Sequence, residues 1–434
     1  MRLDAPAMAL VAAVLLGPGV AAQVAPREYV DLGRVAGVVT RPDSGPPPQV
    51  AVVYENGSNG ASHRMCGELA RRGFLTWCAI PRLNFELNDD WTDTALDIKA
   101  AIQYLTRQRG IRSVVLYGHS GGGAIAGFYQ AVAENGVAYC QAPRKLAPCR
   151  GALADLPRAD AVVFPDAHPG MDVMSLRGLN PSISVAGGEL RVDPQLDPFS
   201  VANGFDPNGH SHFSAAFQRR YFRAQADQMR RLVDRALAMR AAARANPRLD
   251  PAAQLISIAG FGIATHLDEL DPGIAVTMST RRPERLLRND GTITVTPIRS
   301  VWTGHSPMVH FSQDLISTAD AFLALRAVRA TDSMSAVDWC SANSDTVCNT
   351  AHIRAPVLFI AAGASDFIAD EERMYDGSPA ADKEFLVVQG ALHGGAPCTE
   401  CENTPGQYSN SETNQYDYIA NWIRKRLTDQ SPRR

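Results

Sequence analysis

The sequence predicts an α/β fold in which a mostly parallel β-sheet is flanked by helices. Three observations lead to this prediction. Short apolar, β-branched segments alternate with helix-like segments over residues 49–135, which is the pattern of parallel strands joined by crossover helices. A Gly-His-Ser-Gly-Gly turn at residues 118–122 stands between one such strand and one such helix. The strand pattern returns late in the chain, at residues 355–362 and 383–388.

Size and composition are those of an ordinary globular protein. The chain has 434 residues, 45% of them hydrophobic and 20% charged, with a formal net charge of −3. This length allows one large domain or two. The arginines are spread along the chain and balanced by acids. Composition therefore suggests neither nucleic acid nor an anionic membrane as a partner.

The first residues have the pattern of an export signal. An apolar segment at residues 7–16 is followed by small residues at 17–22, which suit cleavage after Ala22. The apolar segment is too short to span a membrane. We therefore expect residues 1–22 to be a signal peptide, no transmembrane segment, and a secreted or periplasmic protein.

The eight cysteines are consistent with export, because they form four close pairs along the chain. Sequence alone does not select a connectivity, and pairing between neighbours is the simplest hypothesis. A buried free thiol at Cys78 remains an alternative, since this residue lies in an apolar strand-like segment. For Cys398 and Cys401 a local disulfide is favoured over a zinc or redox site, because no second C-x-x-C occurs. The expected pairs are Cys66 with Cys78, Cys140 with Cys149, Cys340 with Cys348, and Cys398 with Cys401.

The N-terminal half of the predicted sheet follows a regular order. Glycines and polar loops separate apolar runs, and the helical segments place their apolar residues at helical spacing. The expected strands are residues 34–40, 49–54, 74–80, 111–117 and 159–164, and the expected helices are residues 61–72, 91–109 and 124–135.

From residue 171 to residue 351 the strand–helix alternation stops. This segment contains an arginine-rich helical stretch at 213–245, a mixed region at 255–301, and a second apparent helix at 311–328. We expect a large, mainly helical lid here, with the arginine-rich helix presenting a solvated face over apolar residues. The predicted organisation is a first core part at residues 23–170, the lid at 171–351, and a second core part at 352–434, which ends in a helix at 414–427.

Ser120 has the context of a catalytic nucleophile. A serine on a sharp strand-to-helix turn presents its hydroxyl clear of the sheet edge, and Gly118 and Gly122 let strand and helix approach closely. The backbone N–H of Gly121 can stabilise an oxyanion at the start of the helix. The same Gly-His-Ser triplet recurs at residues 209–211 and 304–306, without the second glycine and without a preceding strand. We expect those copies to be loops.

A second oxyanion donor is expected in the loop after the strand at 49–54. This loop is polar and glycine-rich, and it follows a strand that precedes the Ser120 strand. In that position a backbone N–H can point toward the serine. Gly57 or Ser58 is the candidate donor, and a loop that merely turns the chain is the alternative.

In these features the sequence resembles the α/β-hydrolase superfamily. The matching segments are residues 118–122, Gly-Ala-Ser-Asp at 363–366 and Ala-Leu-His-Gly-Gly at 391–395. The order serine, acid, histidine along the chain is the order used by that fold. The resemblance covers roughly residues 48–164 and residue 355 to the end, and it implies the α/β-hydrolase fold. The segment between these parts, where we expect the lid, has no match in the family.

The resemblance also implies a catalytic triad. Ser120 needs a neighbouring imidazole to take its proton, and His393 follows the last strand, where the family has its histidine. A carboxylate must then orient this imidazole. Asp366 is the favoured acid, because it follows the strand before the last. The alternatives are Asp166, one strand earlier, and the group of Asp370, Glu371 and Glu372; His168, next to Asp166, is expected to be a structural loop histidine.

The activity implied is hydrolysis of a carboxylic ester through an acyl-enzyme, without a cofactor and without a metal. His210 and His212 form an H-x-H with no third ligand nearby, and we expect a loop there. The lid predicts a small-molecule ester with a bulky or apolar part. The alternatives are an amidase or peptidase of the same fold, and a non-catalytic binding protein on a hydrolase core. A lipase acting at interfaces would need an exposed apolar lid face, and the arginine-rich helix at 213–245 argues against it. The oligomeric state is not indicated.

Overall fold

A computed structural model describes residues 26–56, 60–80, 91–246, 248–250, 253–262, 267–274, 277–302 and 313–428. The predicted signal peptide, the oxyanion candidates Gly57 and Ser58, and the Gly-His-Ser copy at residues 304–306 lie outside these ranges. Among the described helices, none combines the length and apolarity needed to cross a membrane.

The strands agree with the predicted segments of the core to within a few residues, and further strands occur in the middle of the chain. They are β1 (Arg27–Asp31), β2 (Ala36–Thr40), β3 (Val50–Glu55), β4 (Leu75–Ala79), β5 (Ser113–Tyr117), β6 (Ala161–Pro165), β7 (Ile183–Ala186), β8 (Glu189–Val192), β9 (Leu255–Phe261), β10 (Glu284–Leu287), β11 (Ile293–Thr296), β12 (Gln313–Thr318), β13 (Arg329–Asp332), β14 (Ala336–Asp338), β15 (Val357–Ala362) and β16 (Lys383–Val388).

The helices lie between these strands. They are α1 (Arg64–Arg71), α2 (Trp91–Leu105), α3 (Gly122–Asn135), α4 (Val137–Cys140), α5 (Met171–Arg177), α6 (Ala215–Ala245), α7 (Leu267–Leu270), α8 (Ala319–Ala321), α9 (Thr346–Thr350), α10 (Ile368–Gly377) and α11 (Ser411–Leu427).

Ten strands form one sheet in the order β1-β2-β4-β3-β5-β6-β15-β16-β10-β11. In this sheet order, the consecutive strands β4, β3, β5, β6, β15, β16 and β10 run parallel, and antiparallel partners lie at both edges. The order doubles back once, at β3 and β4, and then proceeds in one direction through β16. This is the predicted α/β-hydrolase fold.

Helices cover both faces of the sheet, which explains why its central strands are continuously apolar. Every residue of β3, β6 and β15 is buried, as parallel strands between two helical layers require. One core contains apolar side chains of α2, α3 and α10. The other contains side chains of α1 and α11, including Leu69 and Trp422. The carboxyl ends of the parallel strands therefore share one open edge.

The segment at residues 171–351 is less helical than the sequence predicts. It contains the long helix α6, whose buried side chains include Phe217, Tyr221 and Met229, but also the strands β7 to β14. Two of these, β10 and β11, extend the central sheet, because β10 pairs in parallel with β16. The insertion is thus mixed α and β, and part of it is continuous with the core.

The second helix predicted at residues 311–328 is largely wrong. Residues Gln313–Thr318 form β12, which pairs antiparallel with β9, and helical structure begins only at α8 and the π-helical turn Phe322–Arg326. In β12, Leu315 is buried while Ile316 is exposed, the alternation of a half-buried strand. The short apolar run fits either structure, and pairing with the distant β9 decides between them.

The four expected disulfides are present, and the alternative of a free thiol at Cys78 is wrong. Cys66 bonds Cys78, Cys140 bonds Cys149, Cys340 bonds Cys348, and Cys398 bonds Cys401. The first of these joins α1 to β4, and so connects a helix layer to the sheet.

Removal of the Cys66–Cys78 bond should destabilise the fold more than removal of the Cys398–Cys401 bond. The first closes a loop of 12 residues and the second a loop of 3. From the lost constraint on the unfolded chain we expect about 3 and about 1.5 kcal/mol, respectively. Urea unfolding of the Cys66→Ala/Cys78→Ala and Cys398→Ala/Cys401→Ala variants, followed by tryptophan fluorescence, measures both. Equal losses would contradict the loop-length argument.

Candidate active site

Ser120 occupies a strained turn between β5 and α3. Its φ is +55°, a left-handed conformation that non-glycine residues seldom adopt. The N–H of Gly122 donates to the carbonyl of His119 at 2.9 Å, and the N–H of Gly123 donates to the carbonyl of Ser120 at 2.9 Å. This is the predicted sharp strand-to-helix turn.

The glycines of this turn allow the close approach that the sequence predicts. A Cβ atom at Gly118 would lie 3.0 Å from the Cα of Gly123, and one at Gly122 would lie 3.0 Å from the carbonyl oxygen of Glu55. Neither contact leaves room for a side chain without a shift of the backbone. The start of α3 therefore packs directly against β3 and the end of β5.

Gly121 immediately precedes the N-terminus of α3, where backbone N–H groups and the helix dipole favour negative charge. The imidazole of His168 packs on it, with Nε2 3.2 Å from the position that a Cβ at residue 121 would take. Asn56 ends the described part of the chain before Gly57 and Ser58, and its side-chain amide donates to the carbonyl of His119 at 3.3 Å. The start of the predicted oxyanion loop is therefore bonded to the Ser120 turn.

His393 forms a short hydrogen bond with Asp166. The His393 Nδ1 and Asp166 Oδ2 atoms are 2.5 Å apart, and His393 lies in the loop after β16. Asp166 follows β6 directly with φ +45°, and its other oxygen accepts the N–H of Ala362 at 3.1 Å. The carboxylate is thus buried and held by the neighbouring strand β15, with Oδ2 directed to the imidazole.

The expectation that Asp366 orients His393 is corrected by this geometry. Asp366 lies four residues beyond the end of β15, next to the start of α10, and its Oδ1 is 3.5 Å from the Oγ of Ser365. Asp166 instead comes directly after its strand, so that its side chain stays at the sheet edge. The charge of Asp366 still contributes to the raised pKa of His393.

The remaining acidic alternatives have other partners. Asp370 forms a buried ion pair with Arg177, and Glu372 accepts hydrogen bonds from the backbone and side chain of Arg281. Glu371 accepts the N–H of Ala167 at 2.6 Å. Because Ala167 follows Asp166, the buried Glu371 supports the loop that carries the His393 partner.

The imidazole of His393 is held on one side and open on the other, since 43% of its side-chain surface is exposed. Desolvation lowers its pKa, but the hydrogen bond and charge of Asp166, with the charge of Asp366, outweigh this and raise the pKa above the ordinary value. With Nδ1 bonded to Asp166, Nε2 is the nitrogen left to exchange a proton. Within the described structure no hydrogen bond joins it to Ser120, whose neighbour His119 packs 4.5 Å from the His393 ring.

Sequence reasoning missed a hydrogen bond between His63 and His119. The Nδ1 atom of His63 caps α1 by accepting the N–H of Met65 at 3.2 Å, so a neutral His63 carries its proton on Nε2. That Nε2 lies 3.2 Å from Nδ1 of His119. His119 is therefore the acceptor, and its own proton is on Nε2.

Both histidines stay uncharged near neutral pH. Burial, with the charge of His393, lowers the pKa of His63 to about 4 and lowers the pKa of His119 well below its ordinary value. His119 thus places a neutral ring against His393. Its Nε2 is buried and has no hydrogen-bond partner in the described part of the chain. His63 and His119 are 56 residues apart, and the sequence contains no signal that pairs them.

His168 and the H-x-H pair differ in their surroundings. His168 is buried, and burial followed by the charge of His393 lowers its pKa to about 4, so it lines the site beside Gly121 as a neutral ring. His210 and His212 lie in a loop, as expected, and His212 is exposed. Among the described residues no group of three or more histidines, cysteines and acids could hold a metal ion.

The chain was compared with protein families, curated proteins and solved structures. No family model and no curated protein matches the chain. A soluble variant of monoglyceride lipase from Saccharomyces cerevisiae is 12% identical, with 95% of this chain and 98% of that chain covered and a TM-score of 0.41. The esterase domain of a Rhodothermus marinus protein is 11% identical, with 92% of this chain and 98% of that chain covered and a TM-score of 0.36. Carboxyl esterase 2 from Tuber melanosporum is 10% identical, with 94% of this chain and 89% of that chain covered and a TM-score of 0.41.

The assignment of Asp166 predicts how the His393 pKa responds to substitution. Asp166→Asn removes both the hydrogen-bonded charge and the largest factor that raises this pKa, so the pKa should fall as desolvation becomes dominant. Asp366→Asn is the matched control and should lower it less. NMR titration of the labelled imidazole in the three proteins measures the shifts. A larger fall in Asp366→Asn would contradict the assignment.

The hydrogen bond between His63 and His119 predicts their tautomers. At pH 7 both imidazoles should be neutral and protonated on Nε2, because each Nδ1 accepts a hydrogen bond. Nitrogen-15 shifts of labelled histidine distinguish the two tautomers, and His63→Ala assigns its own signals. A proton found on Nδ1 of either ring, or a charged ring, would exclude the proposed direction of this bond.

Proposed function

We propose that this protein is a serine hydrolase that cleaves carboxylic esters through an acyl-enzyme intermediate, with Ser120, His393 and Asp166 as its triad. The observation that carries the proposal is the 2.5 Å contact between His393 and Asp166, beside a serine held in a strained turn at the start of a helix. Serine is a weak nucleophile near neutral pH, and a positioned imidazole is the group that activates it.

In the acylation step Ser120 Oγ attacks the ester carbonyl carbon while His393 Nε2 takes the hydroxyl proton. The new C–O bond forms as the carbonyl π electrons move to oxygen, which becomes an oxyanion. The backbone N–H of Gly121 donates to this oxygen, and an N–H of Gly57 or Ser58 is proposed as the second donor. Asp166 stabilises the imidazolium that forms and keeps Nε2 directed outward.

The tetrahedral intermediate then collapses, which completes acylation. His393 returns the proton to the leaving alcohol oxygen as the C–O bond to it breaks, so that the acyl group stays on Ser120. A water molecule then attacks the acyl carbon while His393 takes its proton. The bond from that carbon to Ser120 Oγ breaks, His393 returns the proton to Oγ, and the carboxylic acid leaves. The raised pKa of His393 supports the proton-holding stage of both half-reactions.

Of the four histidines around the site, His393 is the one whose surroundings support the role of proton acceptor and donor. His63, His119 and His168 have lowered pKa values, and neutral rings leave the positive charge to His393. We also infer a substrate with a bulky or apolar part, since the large insertion supplies additional walls. The four disulfides fit work in an oxidising compartment.

The nucleophile is tested by mass labelling with a fluorophosphonate. We expect one adduct on the wild type and none on Ser120→Ala, because the reagent phosphonylates an activated serine. Ser211→Ala is the matched control, since it removes the serine of the second Gly-His-Ser triplet and should keep the adduct. Turnover of p-nitrophenyl esters should fall about 10⁴-fold or more in Asp166→Asn, in which the imidazole loses its orienting charge, and less than about tenfold in Asp366→Asn, which removes only a more distant charge.

Two results would overturn the proposal. The first is absence of an adduct on folded wild-type protein, which would favour a binding protein on a hydrolase core. The second is an adduct that persists in Ser120→Ala. Equal turnover of p-nitrophenyl esters and p-nitroanilides would instead indicate an amidase.

A further inference from the structure

The hairpin of β7 and β8 presents an apolar face to solvent. Its register pairs Ile183 with Val192 and Val185 with Leu190, and these four side chains share one face because side chains alternate along a strand. Val185, Leu190 and Val192 are 60%, 66% and 57% exposed. The intervening pairs, Ser184 with Arg191 and Ala186 with Glu189, form the other, more polar face.

Val185 and Leu190 face each other across the hairpin, and Val192 follows Leu190 on the same face. Exposed apolar side chains are ordinary when scattered, but a contiguous group in a soluble protein marks a binding surface. We refer to Val185, Leu190 and Val192 as the hairpin patch.

A basic groove begins directly after β8. Its volume is about 450 Å³, and Asp193, which follows Val192, lies in its lining. The charged side chains of α6 in the lining are Arg219, Arg220, Arg223 and Asp227, so arginines outnumber aspartates three to two. Arg220 donates to the carbonyl of Gln195 at 3.2 Å, so the helix is bonded to the segment that continues the hairpin. The whole of α6 contains eight arginines and two aspartates.

We infer that the hairpin patch and this groove form a docking surface for an anionic lipid bilayer. Apolar side chains enter the boundary of the acyl chains, and the adjacent arginines bind the lipid phosphates, as in other proteins that lie at a membrane surface. Arginine suits this role because its guanidinium forms paired hydrogen bonds with phosphate.

The charge of the docking surface favours an anionic bilayer over a second copy of the chain as its partner. In a two-fold contact both copies contribute the same patch, so the interface would contain Arg219, Arg220 and Arg223 twice. Like charges across an interface cost free energy, whereas an anionic bilayer complements them. The composition suggested no anionic membrane as a partner because the arginines are spread along the sequence; α6 collects eight of them on one helix.

This inference is independent of the proposed ester hydrolysis, since it concerns a surface that contains none of the triad residues. It does supply the exposed apolar face on the insertion that a lipase acting at interfaces would need. Binding and hydrolysis can therefore be tested separately.

The experiment is sedimentation of the whole protein with sucrose-loaded vesicles of phosphatidylcholine alone or of phosphatidylcholine and phosphatidylglycerol at three to one. We expect binding to the anionic vesicles at 20 mM NaCl, weaker binding at 500 mM NaCl, and little binding to the neutral vesicles. Val185→Asp/Leu190→Asp should weaken the binding at least tenfold. Arg219→Glu/Arg223→Glu should weaken it by a similar factor, since each arginine near the surface contributes about fivefold.

Two matched variants control for exposed charge and exposed apolar surface elsewhere. Ile293→Asp/Val295→Asp introduces the same two charges at exposed positions of β11, and Arg235→Glu/Arg244→Glu makes the same double change at exposed arginines of α6 outside the groove; both should bind like the wild type. Fluorophosphonate labelling and thermal unfolding verify the fold of each variant. Absence of wild-type binding to anionic vesicles, or undiminished binding by the hairpin variant, would overturn the inference. A wild-type dimer that the hairpin variant abolishes, without vesicle binding, would identify a second copy as the occupant.

Discussion

The hydrogen bond between Asp166 and His393 connects the two halves of the core. Its partners are 227 residues apart, and they meet because β6, β15 and β16 are neighbours in the sheet. Both side chains then emerge at the carboxyl edge of parallel strands, where ligands bind in open α/β sheets. The Ala362 N–H holds one Asp166 oxygen and Glu371 holds the next backbone amide. The long insertion is tolerated because the chain leaves after β6 and re-enters the sheet beside it.

Much of this arrangement could be predicted from the sequence because its signals are local. The Ser120 turn combines its glycines, its strand and its helix within about 25 residues, and the four disulfides join close neighbours. The acid could not be assigned in the same way. Asp166 and Asp366 both follow buried strands, and only the path of each loop decides which carboxylate reaches His393. The hydrogen bond between His63 and His119 and the pairing of β9 with β12 are likewise products of tertiary contact.

Electrostatic asymmetry distinguishes His393 from the other histidines around it. His63, His119 and His168 are desolvated, and no carboxylate among the described residues is hydrogen-bonded to their rings, so their pKa values fall. His393 keeps an open side and a hydrogen-bonded carboxylate partner, and its pKa rises. Burial also raises the pKa of Glu371, which accepts the backbone amide next to Asp166, well above the ordinary value. Among these four rings, a positive charge is therefore favoured on His393.

The pairing of β10 with β16 limits how the insertion can move. Gln389, one residue after β16, donates its N–H to the carbonyl of Leu287 in β10 at 2.9 Å, and Val301 donates to the carbonyl of Gly363 just beyond β15. A rigid-body swing of the whole insertion would break these bonds and disturb the strand that leads to His393. Any widening of the entrance is therefore expected in the portions of the insertion that are not part of the sheet.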